Sequence, residues 1–142
     1  LPTGRIVSLD SEEGAPFDFR EPTEIGKRLH EENIHLKNGS GYDHNYLLKK
    51  QPDGLCARAY SRSSGILLEC RTSEPGMQLY TGNFLSTSNI VGKGGKSYAD
   101  RAGFCLETQH YPNAMEHPEF PSVVLPAGEL YDTTTEYHIS LL

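Results

Sequence analysis

An all-β fold, arranged as an antiparallel sandwich, is the architecture this sequence predicts. Three observations point to it. Short segments of alternating apolar and polar residues recur along the chain, and period-two alternation places one set of side chains on a buried face. Gly (14) and Pro (9) punctuate those segments at regular intervals, which favours antiparallel strands over βαβ units. Helical periodicity is confined to one short stretch. In chain order, strand candidates run near 4–9, 42–49, 55–62, 66–72, 77–82, 102–109 and 121–125. The clearest strand is the last, where Thr135, Tyr137, Ile139 and Leu141 alternate with Glu136, His138, Ser140 and Leu142. Arg62-Ser63-Ser64-Gly65 reads as a hairpin turn. Thr23 reads as the N-cap of a helical turn from Glu24 to about Glu32. The longest loop falls at 86–100, rich in Ser, Gly and Asn.

The chain has 142 residues, a length that suits one domain or part of a larger one. Its 36% hydrophobic content predicts a thin core for a free-standing domain. A net charge of -6, with no Lys/Arg-rich run, argues against a phosphate-neutralising face and so against nucleic acid. No apolar stretch approaches the roughly 20 residues that cross a bilayer, so no membrane is expected as a partner. The opening Leu1-Pro2-Thr3-Gly4-Arg5 lacks the features of a signal peptide and a starting Met, as a processed or partial chain would. Cys56, Cys70 and Cys105 are odd in number and lack CxxC spacing, which points to buried free thiols in a reducing, cytoplasmic compartment. Cys56 and Cys70 are symmetric about Ser63. A hairpin turning there would oppose them, and another register would separate them.

Two motif fragments dissolve on inspection. Gly95-Lys96-Ser97 ends like a phosphate-binding loop, but the required earlier glycine is Ile90. His30 and His35 are five apart, about 140° around a helix, so they cannot share a metal as an i, i+4 pair does.

Three segments are polar where a sandwich would place apolar strand residues: Gly41-Tyr42-Asp43-His44-Asn45-Tyr46, Gly76-Met77-Gln78-Leu79-Tyr80-Thr81-Gly82-Asn83, and Gly103-Phe104-Cys105-Leu106-Glu107-Thr108-Gln109-His110-Tyr111-Pro112-Asn113. In the second, Gln78 and Tyr80 fall on one face and Met77 and Leu79 on the other. In the third, Glu107 sits beside Phe104 and Leu106, where a carboxylate is costly unless paired or used. Sugars are bound by this mixture of planar amides, carboxylates and aromatic rings. From the residues alone the three clusters amount to a binding cleft in a β-sandwich, with a carboxylate available for proton transfer. The surrounding apolar strand would raise that carboxylate's basicity by desolvation.

These segments, in this order, resemble the C-terminal part of the aldose 1-epimerase family. Pro2-Thr3-Gly4, Pro16-Phe17-Asp18-Phe19-Arg20, and Phe120-Pro121 through Pro126-Ala127-Gly128-Glu129-Leu130-Tyr131 also match, so the resemblance covers essentially the whole chain. It implies an antiparallel β-sandwich of the mutarotase type, with residues 1–142 as the C-terminal portion of a single larger domain. It also implies a monosaccharide substrate such as galactose or glucose, interconversion of its anomers, and no cofactor or metal. By motif position, Glu107 would be the catalytic base, and Asp43 and Gln78 would bind sugar hydroxyls. The family's general-acid histidine, a second histidine and an Asn-Arg pair belong to its N-terminal part, which would be this chain's missing partner. His44 and His110 fall in other motifs. The alternative is a non-catalytic carbohydrate-binding β-sandwich module.

Overall fold

The computed structural model describes residues 2–49, 51–88 and 91–142. Within them six antiparallel strands form two three-stranded sheets, and helix is sparse, as the alternating pattern predicts. Strands β1 (Asp43–Leu47), β4 (Gly76–Tyr80) and β5 (Cys105–Gln109) make one sheet in the order β1-β4-β5. Strands β2 (Leu55–Tyr60), β3 (Ile66–Thr72) and β6 (Thr135–Leu141) make the other in the order β2-β3-β6. The chain divides into two compact units, residues 1–4, 45–78 and 106–142 in the first, 5–44 and 79–105 in the second.

In the first unit, β2 and β3 form the hairpin that Arg62-Ser63-Ser64-Gly65 turns. Ser61 N–H donates to the Ile66 carbonyl at 2.9 Å and Gly65 N–H to the Ser61 carbonyl at 2.8 Å. Gly65 takes φ +73°, a left-handed value that glycine adopts without a Cβ penalty. The register pairs Tyr60 with Leu67 and Ala57 with Cys70, and a bulge at Leu55/Ala57 leaves Cys56 out of step. The register symmetric about Ser63 is therefore not adopted, and Cys56 and Cys70 are free thiols. The Cys56 thiol donates to the Cys70 carbonyl at 3.2 Å. Burial pushes both thiols up, that of Cys70 to about 12. Cys105, expected among the buried thiols, is exposed on β5.

Strand β6 pairs with β3 so that Leu141, Ile139 and Tyr137 oppose Ile66, Leu68 and Cys70. The intervening residues bring Glu69 opposite His138 and Arg71 opposite Glu136. One face of this sheet is thus apolar. The other is charged, with Glu69 held by Arg58 at 2.7 Å and Arg71 at 3.3 Å. Tyr137, Ile139 and Leu141 remain 50%, 68% and 76% exposed, and the Tyr137 hydroxyl donates to the Leu106 carbonyl at 2.6 Å.

In the second unit the core gathers around Tyr42, which is fully buried. Phe17 and Phe19 meet its ring edge-on at 5.7 and 5.1 Å. Its hydroxyl donates to the Pro16 carbonyl at 2.8 Å, and burial pushes it up to about 12. Here Asn83 explains a motif: its amide donates to the Gly39 and Tyr42 carbonyls at 2.8 and 3.0 Å. Thr81 Oγ1 donates to Asn83 Oδ1 at 2.7 Å. A Cβ on Gly41 (φ +142°) would come within 2.3 Å of that oxygen, so only glycine fits.

Three sequence expectations are corrected. The helix is not at 24–32: Ile25–Arg28 is a short 3₁₀ turn, and α1 is Ile34–Gly39. Asn33 caps α1, accepting from the His35 and Leu36 N–H groups, whereas the Thr23 hydroxyl donates to the Glu21 carbonyl. Residues 4–9 are not a strand; a paired Arg5–Glu13 contact at 2.6–2.7 Å and turn bonds at Ser8 and Ser11 hold them. Residues 121–125 are also not a strand. They are exposed between Pro121 and Pro126, which supply no N–H to a ladder. In the long loop, Ser86–Ser88 and Lys93–Gly95 are 3₁₀ turns, and Val91 bridges Ser97. Ile90, weighed for the phosphate-loop pattern, lies outside the described residues. Among the described residues, no helix is long and apolar enough to cross a membrane.

Candidate active site

Strand β4 sorts its side chains as the sequence predicts: Met77 and Leu79 are buried at 6% and 7% exposure, with Gln78 on the opposite face. Across to β5, Gln109 Nε2 donates to Gln78 Oε1 at 3.4 Å, and across to β1 it donates to Asn45 Oδ1 at 3.3 Å. These contacts put Asn45, Gln78 and Gln109 on one face of the first unit. Glu107 stands two residues before Gln109 on β5, and a strand's period of two gives it the same face. A carboxylate and three carboxamides therefore share one polar surface, backed on the other side of β4 by buried Met77.

Glu107 is exposed rather than set against apolar neighbours. Its neighbour Leu106 points to the other face, as strand alternation requires. Asp43 is the exposed first residue of β1, in the second unit. The structure thus brings Gln78 and Glu107 onto adjacent strands and a common face. It also adds Asn45 and Gln109, which sequence reasoning did not single out. The signal was present: Gln109 follows Glu107 by one strand period.

Gly76 belongs to the same construction. Its φ is not positive, so backbone freedom does not explain it. Space does, since a Cβ there would lie 2.8 Å from Asn45 Oδ1 and 3.0 Å from a Tyr111 ring carbon.

His35, His44 and His110 are engaged elsewhere. In the second unit, His44 packs against Phe17 at 4.6 Å, and its Nδ1 accepts from the Asp43 N–H at 3.0 Å. Burial lowers its pKa. His35 contacts Glu13 at 2.6 Å. The Arg5 guanidinium, with help from His35, holds Glu13 down at about 2. In the first unit His110, three residues past Glu107, contacts Glu74 through Nδ1 at 2.9 Å.

That contact belongs to a second polar cluster. Glu74 is 7% exposed, and its Oε1 accepts from the Tyr131 and Thr133 hydroxyls, the latter at 2.7 Å. The His110 imidazole reaches Oε2 at ion-pair distance but out of line for a directed hydrogen bond. Burial pushes the carboxyl up, but the two hydroxyls and His110 pull it further down, to a net position below its ordinary range. The cluster borders a cleft of about 350 Å³ lined by Leu48, Pro75, Tyr111 and Pro121 among others. Gln78 and Glu107 line neither this cleft nor the neighbouring one of about 420 Å³. Among the described residues no group of three His, Cys, Asp or Glu side chains is placed to hold a metal.

The described residues thus form two antiparallel sheets, with a carboxylate and three amides on one strand face. The family model for aldose 1-epimerase matches residues 1–138. The chain belongs to that family. It is 44% identical to galactose mutarotase of Bos taurus over 99% of this chain and 39% of that protein. Its identity to galactose mutarotase of Homo sapiens is likewise 44% over the same shares. To the aldose 1-epimerase of Escherichia coli K12 it is 35% identical, over 91% of this chain and 38% of that protein. The crystal structure of a GalM/aldose epimerase homologue from C. elegans superposes with a TM-score of 0.81 at 28% identity, covering 99% of this chain and 40% of that one. The chain spans about two fifths of the length of the curated relatives it matches, and corresponds to their C-terminal part.

Proposed function

We propose that the protein carrying this chain is an aldose 1-epimerase, interconverting the α and β anomers of a hexose such as galactose or glucose. One observation carries the reading: Gln78 and Glu107 stand on adjacent strands and one face, where the Gln109 amide joins Gln78 to Asn45. Glu107, with an exposed carboxylate, takes the proton from the anomeric hydroxyl. The ring then opens at the C1–O5 bond, C1–C2 rotates, and the hydroxyl on C5 recloses the ring on the other face of the carbonyl. Gln78 and, by its motif position, Asp43 hold sugar hydroxyls so that the anomeric hydroxyl meets Glu107. Holding the reacting atoms in line supplies much of the rate, and a positioned base typically contributes 10²–10⁴-fold.

The proton that the ring oxygen needs is assigned to neither His44 nor His110. The first is packed against Phe17 with its Nδ1 engaged, and the second is tied to Glu74. In this reading residues 1–142 form the C-terminal part of one larger epimerase domain, and the remaining part of that domain provides the acid. The free cysteines fit a cytoplasmic setting.

The test is polarimetry on freshly dissolved α-D-galactose with the longest natural form of the protein. Glu107→Gln should reduce kcat by 10²-fold or more while leaving sugar affinity within about threefold, because the amide still hydrogen-bonds but accepts no proton. A variant retaining a third of wild-type kcat removes Glu107 from the base role. Wild-type protein that binds galactose without accelerating its mutarotation makes the chain a sugar-binding module instead.

A further inference from the structure

We propose that Gln109 is a positioning residue that fixes the polarity of the amides meeting the sugar, turning the oxygens of Gln78 and Asn45 inward and their N–H groups outward. The inference rests on the epimerase reading of the same face and adds a residue and a rule of recognition to it.

A carboxamide has two ends of opposite hydrogen-bonding character, and which end faces a ligand is set by what holds the other. Here one donor group serves two acceptors: Gln109 Nε2 lies 3.3 Å from Asn45 Oδ1 and 3.4 Å from Gln78 Oε1. With their oxygens engaged by Gln109, the two amides carry their nitrogens on the opposite side. Gly76 permits the arrangement, because any Cβ there would displace the Asn45 amide from 2.8 Å away. The resulting face combines fixed N–H donors on β1 and β4 with a pure acceptor, the Glu107 carboxylate, on β5. Such a face takes a ligand in which one oxygen gives up a proton while nearby oxygens only accept. That is the hydrogen-bonding demand of a hexose whose anomeric hydroxyl is being deprotonated.

Two substitutions separate polarity from packing. Gln109→Leu keeps the volume and removes the donor, and should raise the KM for galactose about fivefold, the worth of one neutral hydrogen bond. Gln109→Glu keeps the shape but can only accept. It draws the Asn45 and Gln78 N–H groups inward and should raise KM further, by about 25-fold, with kcat changed less than KM. In a background carrying both Gln78→Ala and Asn45→Ala, adding Gln109→Leu should cost less than twofold more, since both amides it orients are gone. Fully additive effects, or equal KM values for the Leu and Glu variants, would overturn the proposal. Gln78→Ala with unchanged KM would overturn it too, and would remove Gln78 from the site altogether. Loss of activity in Glu107→Gln alone bears on the base and not on this polarity. If the position 109 variants do not fold, neutron diffraction on the wild-type protein with galactose reads the amide deuterons directly. Deuterons of Gln78 aimed at Gln109 would refute the assignment, and deuterons aimed at a sugar oxygen would support it.

Discussion

Replacing Glu74 by Gln keeps the shape of the side chain and removes its charge, which isolates what a buried carboxylate contributes to the first unit. The wild-type group accepts from two hydroxyls and faces the His110 ring at 2.9 Å. Hydrogen bonds to a charged acceptor contribute about 1.5–3 kcal/mol each, against about 1 kcal/mol for a neutral pair. Two such differences come to roughly 1–4 kcal/mol. Burial disfavours the charge and takes back part of that, since Glu74 is 7% exposed. The donors soften the loss as well, because Tyr131 is 59% exposed and its hydroxyl can return to water. The expected net destabilisation is about 2 kcal/mol.

The assay is urea unfolding of wild type and Glu74→Gln across pH. The folded-state pKa of Glu74 lies below its unfolded value of about 4.3. Its contribution is therefore fully present above that value and disappears as pH falls through the folded one. The two proteins should differ most near neutral pH and converge as pH drops below about 4. A difference under 0.5 kcal/mol at pH 7, or one that persists unchanged to pH 3, would refute the reasoning.

Three further outcomes follow from the geometry. Asp43→Ala should raise KM for galactose and also lower kcat, about tenfold in kcat/KM, since a sugar ligand orients the ring as well as binding it; unchanged steady-state kinetics would exclude it. Gly76→Ala should destabilise the protein by about 1–3 kcal/mol through overpacking against Asn45 and Tyr111, and should weaken sugar binding by displacing the Asn45 amide, which calorimetry and thermal melting together would read. Residues 1–142 expressed alone should bind a hydrophobic dye, melt without a sharp transition and be silent in polarimetry, whereas a cooperatively melting, active monomer would show that this segment is self-sufficient.

Legibility from the sequence follows the physics of each element. The strand Ile66–Thr72 and the turn before it were readable because period two and a glycine at a left-handed turn are local signals. The opposite faces of β4 were readable for the same reason. The helix was misplaced because Thr23 and Asn33 are both good caps, and only the surroundings show which one accepts backbone N–H groups. Segment 121–125 carries β-branched residues but lies between two prolines and has no strand partner among the described residues, which propensity alone does not register. At the candidate site, the ordered motifs singled out Glu107 and Gln78, and the structure places them on one face. Asn45 and Gln109 were not singled out, because an amide becomes a functional group through what it touches. Glu74 was missed because its partners at Tyr131 and Thr133 lie nearly sixty residues away.

The two polar clusters of the first unit differ in kind, and the difference explains why one is read as chemistry and the other as architecture. Glu74 is buried, accepts from two hydroxyls and faces His110, so its charge is already committed to joining the start of β4 to the segments around His110 and Tyr131. A carboxylate so engaged cannot also receive a proton from substrate without giving up those contacts. Glu107 is the converse case. It is exposed, and no hydrogen bond or ion pair holds it among the described residues, while the amide two positions along its strand is tied to Gln78 and Asn45. A base needs that combination: an uncommitted carboxylate beside rigidly oriented groups that decide which substrate proton reaches it. The rigidity comes from packing, because β4 carries Met77 and Leu79 into the interior directly behind Gln78. Packing thus fixes the β4 backbone, and Gln109 holds the amide that the strand carries.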